Sequence, residues 1–144
     1  MLIAGLLFLF SGLINTKPSP VFADVYLGTH GPSRFLVDTG SQTSLIDPKL
    51  AAELHLKPEF RVEVVTQHST RLLPGMKVST LQIGQRTLPG IELVFHDVAE
   101  ARRLDPSIRG LLGANALTGF DFTLSPATGR LDLTAERPAG EVVP

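Results

Sequence analysis

Residues 35–46 read Phe-Leu-Val-Asp-Thr-Gly-Ser-Gln-Thr-Ser-Leu-Ile, FLVDTGSQTSLI. Phe35-Leu36-Val37 is a short apolar run of the kind found in a strand buried on both faces. It stops at Asp38-Thr39-Gly40-Ser41, and the strand pattern resumes at Ser44-Leu45-Ile46. A carboxylate directly after a buried strand is costly unless it is hydrogen-bonded or paired. The neighbours of Asp38 suit that need. Gly40 lets the backbone turn tightly and offer N–H groups to the carboxylate, while Thr39 and Ser41 add hydroxyls. The triplet Asp-Thr-Gly alone also fits an ordinary Asp-Gly turn, so the rest of the chain decides.

Working outward, the remainder reads as short strands. Val21, Ala23, Val25 and Leu27 share one face at period two, and Gly28 to Ser33 (GTHGPS) forms a turn. Asp47-Pro48 opens a short helix, with Asp47 as cap, Pro48 at the first position and Leu50 and Leu54 on one face. Lys57-Pro58 ends it. Arg61 to Thr66 and Met76 to Ile83 read as strands with Gln67 to Gly75 between them, and Pro74-Gly75 gives a turn in the returning strand. Thr87-Leu88-Pro89-Gly90 reads as another turn, followed by a strand from Ile91 to Phe95. Polar residues run from Asp97 to Ser107, and AEARRL within them suits a helical turn. Ile108 to Leu112 is a strand broken at Gly113, and Ala114 to Leu117 suits one or two helical turns. Phe120, Phe122 and Leu124 alternate with polar residues, as do Leu131 and Leu133 after the turn PATG, which predicts a hairpin. The expectation is a mostly β domain over residues 18–134 with one or two short helices. The tail 135–144 carries no pattern and is expected to fray.

Length and composition agree. At 144 residues the chain is one domain, and 43% hydrophobic against 19% charged residues excludes an extended disordered chain. Thirteen basic against fourteen acidic residues leave a net charge of −1, which offers a nucleic-acid backbone nothing. With no cysteine there is no disulfide framework, thiolate zinc site or cysteine nucleophile. His30, His55, His68 and His96 form no HExxH or other tight ligand spacing, so no metal and no cofactor are expected. Ser41 and Ser44 lack a GxSxG context, and no phosphate-binding glycine motif occurs.

The segment Leu2 to Ile14, LIAGLLFLFSGLI, is almost wholly apolar. It is shorter than the ~20 residues of a spanning helix and suits the apolar region of a secretory signal, although nothing basic precedes Lys17. Residues 1–17 are therefore expected to be a signal peptide or membrane anchor, and the domain exported, periplasmic or tethered to the membrane.

A second motif gives the first its weight. Ile108-Arg109-Gly110-Leu111-Leu112-Gly113-Ala114-Asn115 is an apolar strand run into glycine, then a short helix, then a hairpin. Together FLVDTGSQTSLI, IRGLLGANAL and FDFTLSPATGRLDL resemble the retropepsin-like aspartic proteases, the single-domain relatives of pepsin. The resemblance spans roughly Val21 to Leu133. It implies an acid-protease β-barrel with a flap hairpin, and one catalytic residue, Asp38, per subunit. The chain holds a single such triplet, so the resemblance implies a homodimer in which a two-fold axis brings both copies of Asp38 together. It implies that Thr39 braces the pair across the axis, that Gly40 supplies backbone contacts, and that Leu111-Leu112-Gly113 supports the loop structurally.

The activity so implied is hydrolysis of a polypeptide by water held between two carboxylates that share one proton, with apolar subsites. A Ser41 hydroxyl donated to the carboxylate would lower its pKa, which predicts an acidic working range. The flap tip is expected at Gln67-His68-Ser69-Thr70, without the glycines of retroviral tips. The alternatives are a retropepsin-like domain of the cell envelope that binds peptides or assembles without cleaving, and a structural β-domain in which Asp38 is a turn residue.

Overall fold

The computed structural model describes residues 20–65, 68–125 and 127–136. Among the described residues nine strands and three short helices follow one another. They are β1 (Phe22–Leu27), β2 (His30–Val37), β3 (Ser44–Ile46), α1 (Pro48–Glu53), β4 (Phe60–Val65), β5 (Thr70–Ile83) and β6 (Arg86–Phe95). After them come α2 (Ala99–Arg102), β7 (Ile108–Leu112), α3 (Ala114–Leu117), β8 (Phe120–Ser125) and β9 (Arg130–Glu136). The sheet order is β4-β5-β6-β3-β7-β2-β1-β9-β8, and a further pairing of β1 with β5 closes six of these strands into a barrel. The expected β-barrel is therefore present, with three short helices among the described residues rather than one or two.

The apolar runs explain how the barrel is packed. Side chains alternate across a strand, so a strand buried on both faces feeds two cores. In β2, Phe35 and Val37 enter the barrel interior, while Leu36 packs into a second cluster outside it. Strand β3 divides in the same way between Ile46 and Leu45, and β7 between Leu112 and Leu111. Val64 and Leu73 of the β4–β5 hairpin and Val98 and Ala101 near α2 belong to the outer cluster. Gly110 makes room for Phe35, whose ring would lie 2.3 Å from any β-carbon there. The helix expected after Ile46 is α1: the Asp47 side chain accepts from the Lys49 amide at 3.1 Å, and Pro48 occupies the first turn.

Two expected turns are strand instead. Pro74 and Gly75 lie within β5, opposite Arg61 and Phe60. Strand β6 first joins β5 at Gly75, opposite Val94, so Pro74 sits where no donor toward β6 is required. Gly75 is a close approach: a β-carbon would meet the Phe60 ring at 2.6 Å. Residues 87–90 lie within β6, with Leu88 opposite Leu81 and Pro89 opposite Thr80. The actual turn is Gly84-Gln85, with Gly84 at φ +58°. Likewise the first turn shrinks to Gly28-Thr29, with β2 starting at His30. Strand β9 runs to Glu136, taking in the first two residues of the stretch assigned to the tail. Residues 1–17 and 137–144 lie outside the described residues.

Candidate active site

Asp38 is the first residue beyond β2, and backbone bonds fix it from two sides. Its amide donates to the Leu112 carbonyl at 2.8 Å, and the preceding Val37 amide donates to Val21 at 2.9 Å. The loop then turns on itself, with the Ser41 amide donating to the Asp38 carbonyl at 3.2 Å. The Ser41 carbonyl accepts from the Ala114 amide at 2.6 Å, which ties the loop to the start of α3.

The Asp38 side chain is buried, at 5% exposure. Its Oδ1 accepts from the Gly40 amide at 3.2 Å. Its Oδ2 is buried and finds no partner among the described residues. Burial pushes the carboxyl above the ordinary aspartate range, against the opposing pull of the Gly40 and Ser41 backbone amides. Thr39 and Gly40, the next two residues, are exposed. A buried carboxyl thus lies directly beside the exposed Thr39 and Gly40.

The Ser41 hydroxyl does not serve this carboxyl. It donates to the Thr43 carbonyl at 2.9 Å and accepts from the Thr43 amide at 3.2 Å. The expected donor to the carboxylate is supplied by backbone, and the acidic range inferred from that hydroxyl loses its basis. The reason is local: a turn of Ser41-Gln42-Thr43 leaves a backbone amide and carbonyl within closer reach of the hydroxyl than Asp38 is.

Leu111, Leu112 and Gly113 lie beside the loop. Leu111 and Leu112 are fully buried and pair with Leu36 and Val37. A β-carbon on Gly113 would lie 2.3 Å from the Thr43 carbonyl oxygen and 2.7 Å from that of Ser41. The residue types therefore follow from packing, with glycine at the point of closest approach.

Sequence reasoning missed a polar network behind this contact. Ser44 Oγ is wholly buried, donates to Asn115 Oδ1 at 2.6 Å and accepts from the Gly113 amide at 3.0 Å. Asn115 Nδ2 donates to the Glu92 carbonyl at 3.0 Å, so β3, α3, β7 and β6 are joined through two side chains. The signal was a serine opening a buried strand, a position that demands a partner.

Residues of the expected flap tip fall at the end of the β4–β5 hairpin, whose last pair is Val65 with Thr70. His68, Ser69 and Thr70 are exposed, and Gln67 lies outside the described residues. The stem turns Val64 and Leu73 inward and leaves Val65 and Leu72 exposed. Lower on the stem, Val62 joins Gln42, Thr43, Ile91, Glu92 and Asn115 around a cleft of about 320 Å³. The hairpin and the loop that follows Asp38 therefore share one cavity.

A family model described as aspartyl protease matches residues 23–116. Among solved structures, a retropepsin-like aspartic protease from Rickettsia conorii is similar with a TM-score of 0.56 at 16% identity, over 76% of this chain and 87% of that one. The retroviral protease-like domain of Ddi1 from Leishmania major gives a TM-score of 0.57 at 12% identity, over 88% of this chain and 100% of that one. No curated protein matches the sequence. The matched residues contain both the Asp38 loop and the β7–α3 element that braces it, and the chain belongs to the aspartyl protease family, as a retropepsin-like aspartic protease domain.

Proposed function

We propose that the protein is an aspartic endopeptidase that works as a homodimer, with Asp38 of each copy forming the catalytic pair. The observation that carries this reading is the buried Asp38 Oδ2, which has no partner among the described residues. A second Asp38 across a two-fold axis would supply one, provided that pairing shifts the loop enough to bring this oxygen to the surface. Two carboxyl groups about 3 Å apart share a single proton, and a carboxyl already pushed upward by burial is suited to hold it. In this scheme the ionised member takes a proton from a bound water while the neutral member hydrogen-bonds the peptide carbonyl. The water oxygen bonds to the carbonyl carbon, the C–N bond breaks, and the proton passes to the departing nitrogen. No covalent intermediate forms with the protein.

The homodimer has its own support. Strand β8 ends the sheet, and Phe122 and Leu124 on it are 38% and 36% exposed. The Ser125–Arg130 end of the β8–β9 hairpin lies level with Phe22, whose amide donates to the Gly129 carbonyl at 2.9 Å. Its neighbour Val21 is bonded to Val37, one residue before Asp38. An apolar sheet edge and the candidate catalytic loop thus share one end of the barrel. Under this reading the β4–β5 hairpin acts as the flap, with Gln67, His68, Ser69 and Thr70 at its tip, and an extended substrate lies beneath it. The apolar run of residues 2–14 supports export or tethering of this activity; no helix of the described residues is long and apolar enough to cross a membrane.

The test is hydrolysis of a mixed peptide library by the protein and by Asp38→Asn between about pH 3 and 7. Cleavage that disappears in the variant supports the reading. Absence of cleavage by folded, dimeric protein shifts it to a peptide-binding or assembly domain of the envelope.

A further inference from the structure

The cleft beside the Asp38 loop has a composition that differs from an apolar subsite. Val62 and Val94 form its apolar walls, Ile91 borders it with its side chain turned to the barrel interior, and Gln42, Thr43 and Asn115 give it a polar side. Glu92 is the one ionisable residue among those lining it. Glu92 is exposed, its side chain makes no ion pair among the described residues, and its carbonyl is fixed by Asn115. Lys77 stands across the strand pair from it, with its stem about 3.7 Å from where a β-carbon on Gly90 would lie, yet makes no ion pair with it. Apolar walls with a carboxylate at one edge suit a long aliphatic stem that ends in a cation.

We propose that this cleft is a specificity site for a lysine or arginine side chain of the substrate, with Glu92 as the selecting charge. The proposal rests on the peptidase reading and names its substrate class. The stem lies between Val62 of β4 and Val94 of β6, which share the outer face with Glu92. The cation reaches the Glu92 carboxylate, and Gln42 offers an amide oxygen beside it. Because Gln42 and Thr43 follow the Asp38 loop within a few residues, the preference falls at a fixed position relative to the scissile bond. A two-fold dimer presents the cleft on both sides of that bond.

The experiment compares a peptide series that varies one position at a time among Lys, Arg, norleucine and Glu. Turnover is read with the full-length protein, Glu92→Gln and Glu92→Lys. Binding of the same peptides is read with Asp38→Asn and with Asp38→Asn/Glu92→Lys. The expected result is a preference for Lys or Arg over norleucine of about fivefold in kcat/KM, the scale of a partly exposed ion pair. That ratio collapses toward one in Glu92→Gln and inverts in favour of Glu in Glu92→Lys, with thermal unfolding confirming that both variants fold. Cleavage with no basic preference, or with one that survives Glu92→Lys, overturns the specificity site and leaves the peptidase reading standing. Binding by Asp38→Asn that favours basic peptides and reverses with Glu92→Lys, alongside a parent protein that cleaves nothing, supports the site and overturns the peptidase reading instead.

Discussion

A β-carbon placed on Gly113 would sit 2.3 Å from the carbonyl oxygen of Thr43. Neither side of that contact is a flexible side chain. The Thr43 carbonyl is held by Ser41 Oγ, and the Gly113 amide by Ser44 Oγ. Gly113→Ala must therefore push β7 and α3 away from the loop. The expected cost is about 1–3 kcal/mol or more, a fall in Tm of several degrees at about 4 °C per kcal/mol. Thermal unfolding of the variant checks it, and a Tm equal to the parent's contradicts the close approach.

Asp38→Asn has opposite effects on turnover and on stability. Loss of the acid–base pair lowers kcat by about 10²–10⁴-fold. Stability moves the other way, because the folded-state pKa of Asp38 lies above its unfolded value. The folded protein then binds the proton more tightly, and as pH rises from near 3.8 through the folded pKa it loses stability relative to the unfolded chain. The amide carries no such penalty. Asp38→Asn is expected to melt above the parent at neutral pH, with the difference shrinking as pH falls toward 3.8. Paired melting curves across pH decide this; a constant difference would mean that Asp38 carries no folding-linked proton.

Ser41→Ala separates the two roles open to that hydroxyl. Its bonds go to the Thr43 backbone, so the acid limb of the pH–kcat/KM profile is expected to stay in place. Stability falls by about 0.5–1.5 kcal/mol for the lost bonds. A shifted acid limb would return the hydroxyl to the carboxylate.

The Ser44–Asn115 bond lends itself to a double-mutant cycle. Ser44→Ala leaves the buried Gly113 amide without an acceptor and costs about 1–3 kcal/mol. Asn115→Ala costs less, because its Glu92 contact lies nearer the surface. Their coupling energy is expected between about 0.5 and 3 kcal/mol, and additive effects would show that the two side chains act separately.

Leu124→Asp reads the apolar edge. A charge there leaves the monomer's own core untouched, since the side chain is already 36% exposed. Sedimentation of the variant is expected to give a monomer that melts on its own and cleaves no peptide, because each copy holds one Asp38. A dimer that persists with full turnover would move the interface elsewhere on the molecule.

What the residues revealed in advance was set by burial. Phe35-Leu36-Val37 and Leu111-Leu112 are apolar without alternation because each strand feeds two cores, and both stand where the pattern put them. Asp47-Pro48 announces α1 through its own cap. Pro74-Gly75 and Pro89-Gly90 misled because proline and glycine are read as turn residues. Here each proline lies where its strand lacks one neighbour, and Gly75 yields space to Phe60. At the candidate site, a carboxyl closing a buried strand with a glycine two residues on is readable in the local sequence, and the Gly40 amide does bond Asp38 Oδ1. The destination of the Ser41 hydroxyl and the link from Ser44 to Asn115 depend on which backbone groups the fold leaves nearby, and no spacing records that.

Strand β1 carries a consequence for how the chain acquires its shape. It is the first of the nine strands to be synthesised, yet its two outer contacts are with Leu81 to Ile83 of β5 and, through Phe22, with Arg130 of β9. The β1–β2 hairpin can form early, but the barrel stays open until β5 has emerged, and the level of Asp38 is sealed only by the last hairpin. Until then Val25 and Leu27, which become almost fully buried, lie on a sheet with an unpaired edge. Such non-local closure makes folding slow and leaves the growing chain open to edge-to-edge association with other copies. An unfinished chain therefore lacks the sheet contact that flanks the Asp38 loop through Val21 and Phe22 until the C-terminal hairpin is in place.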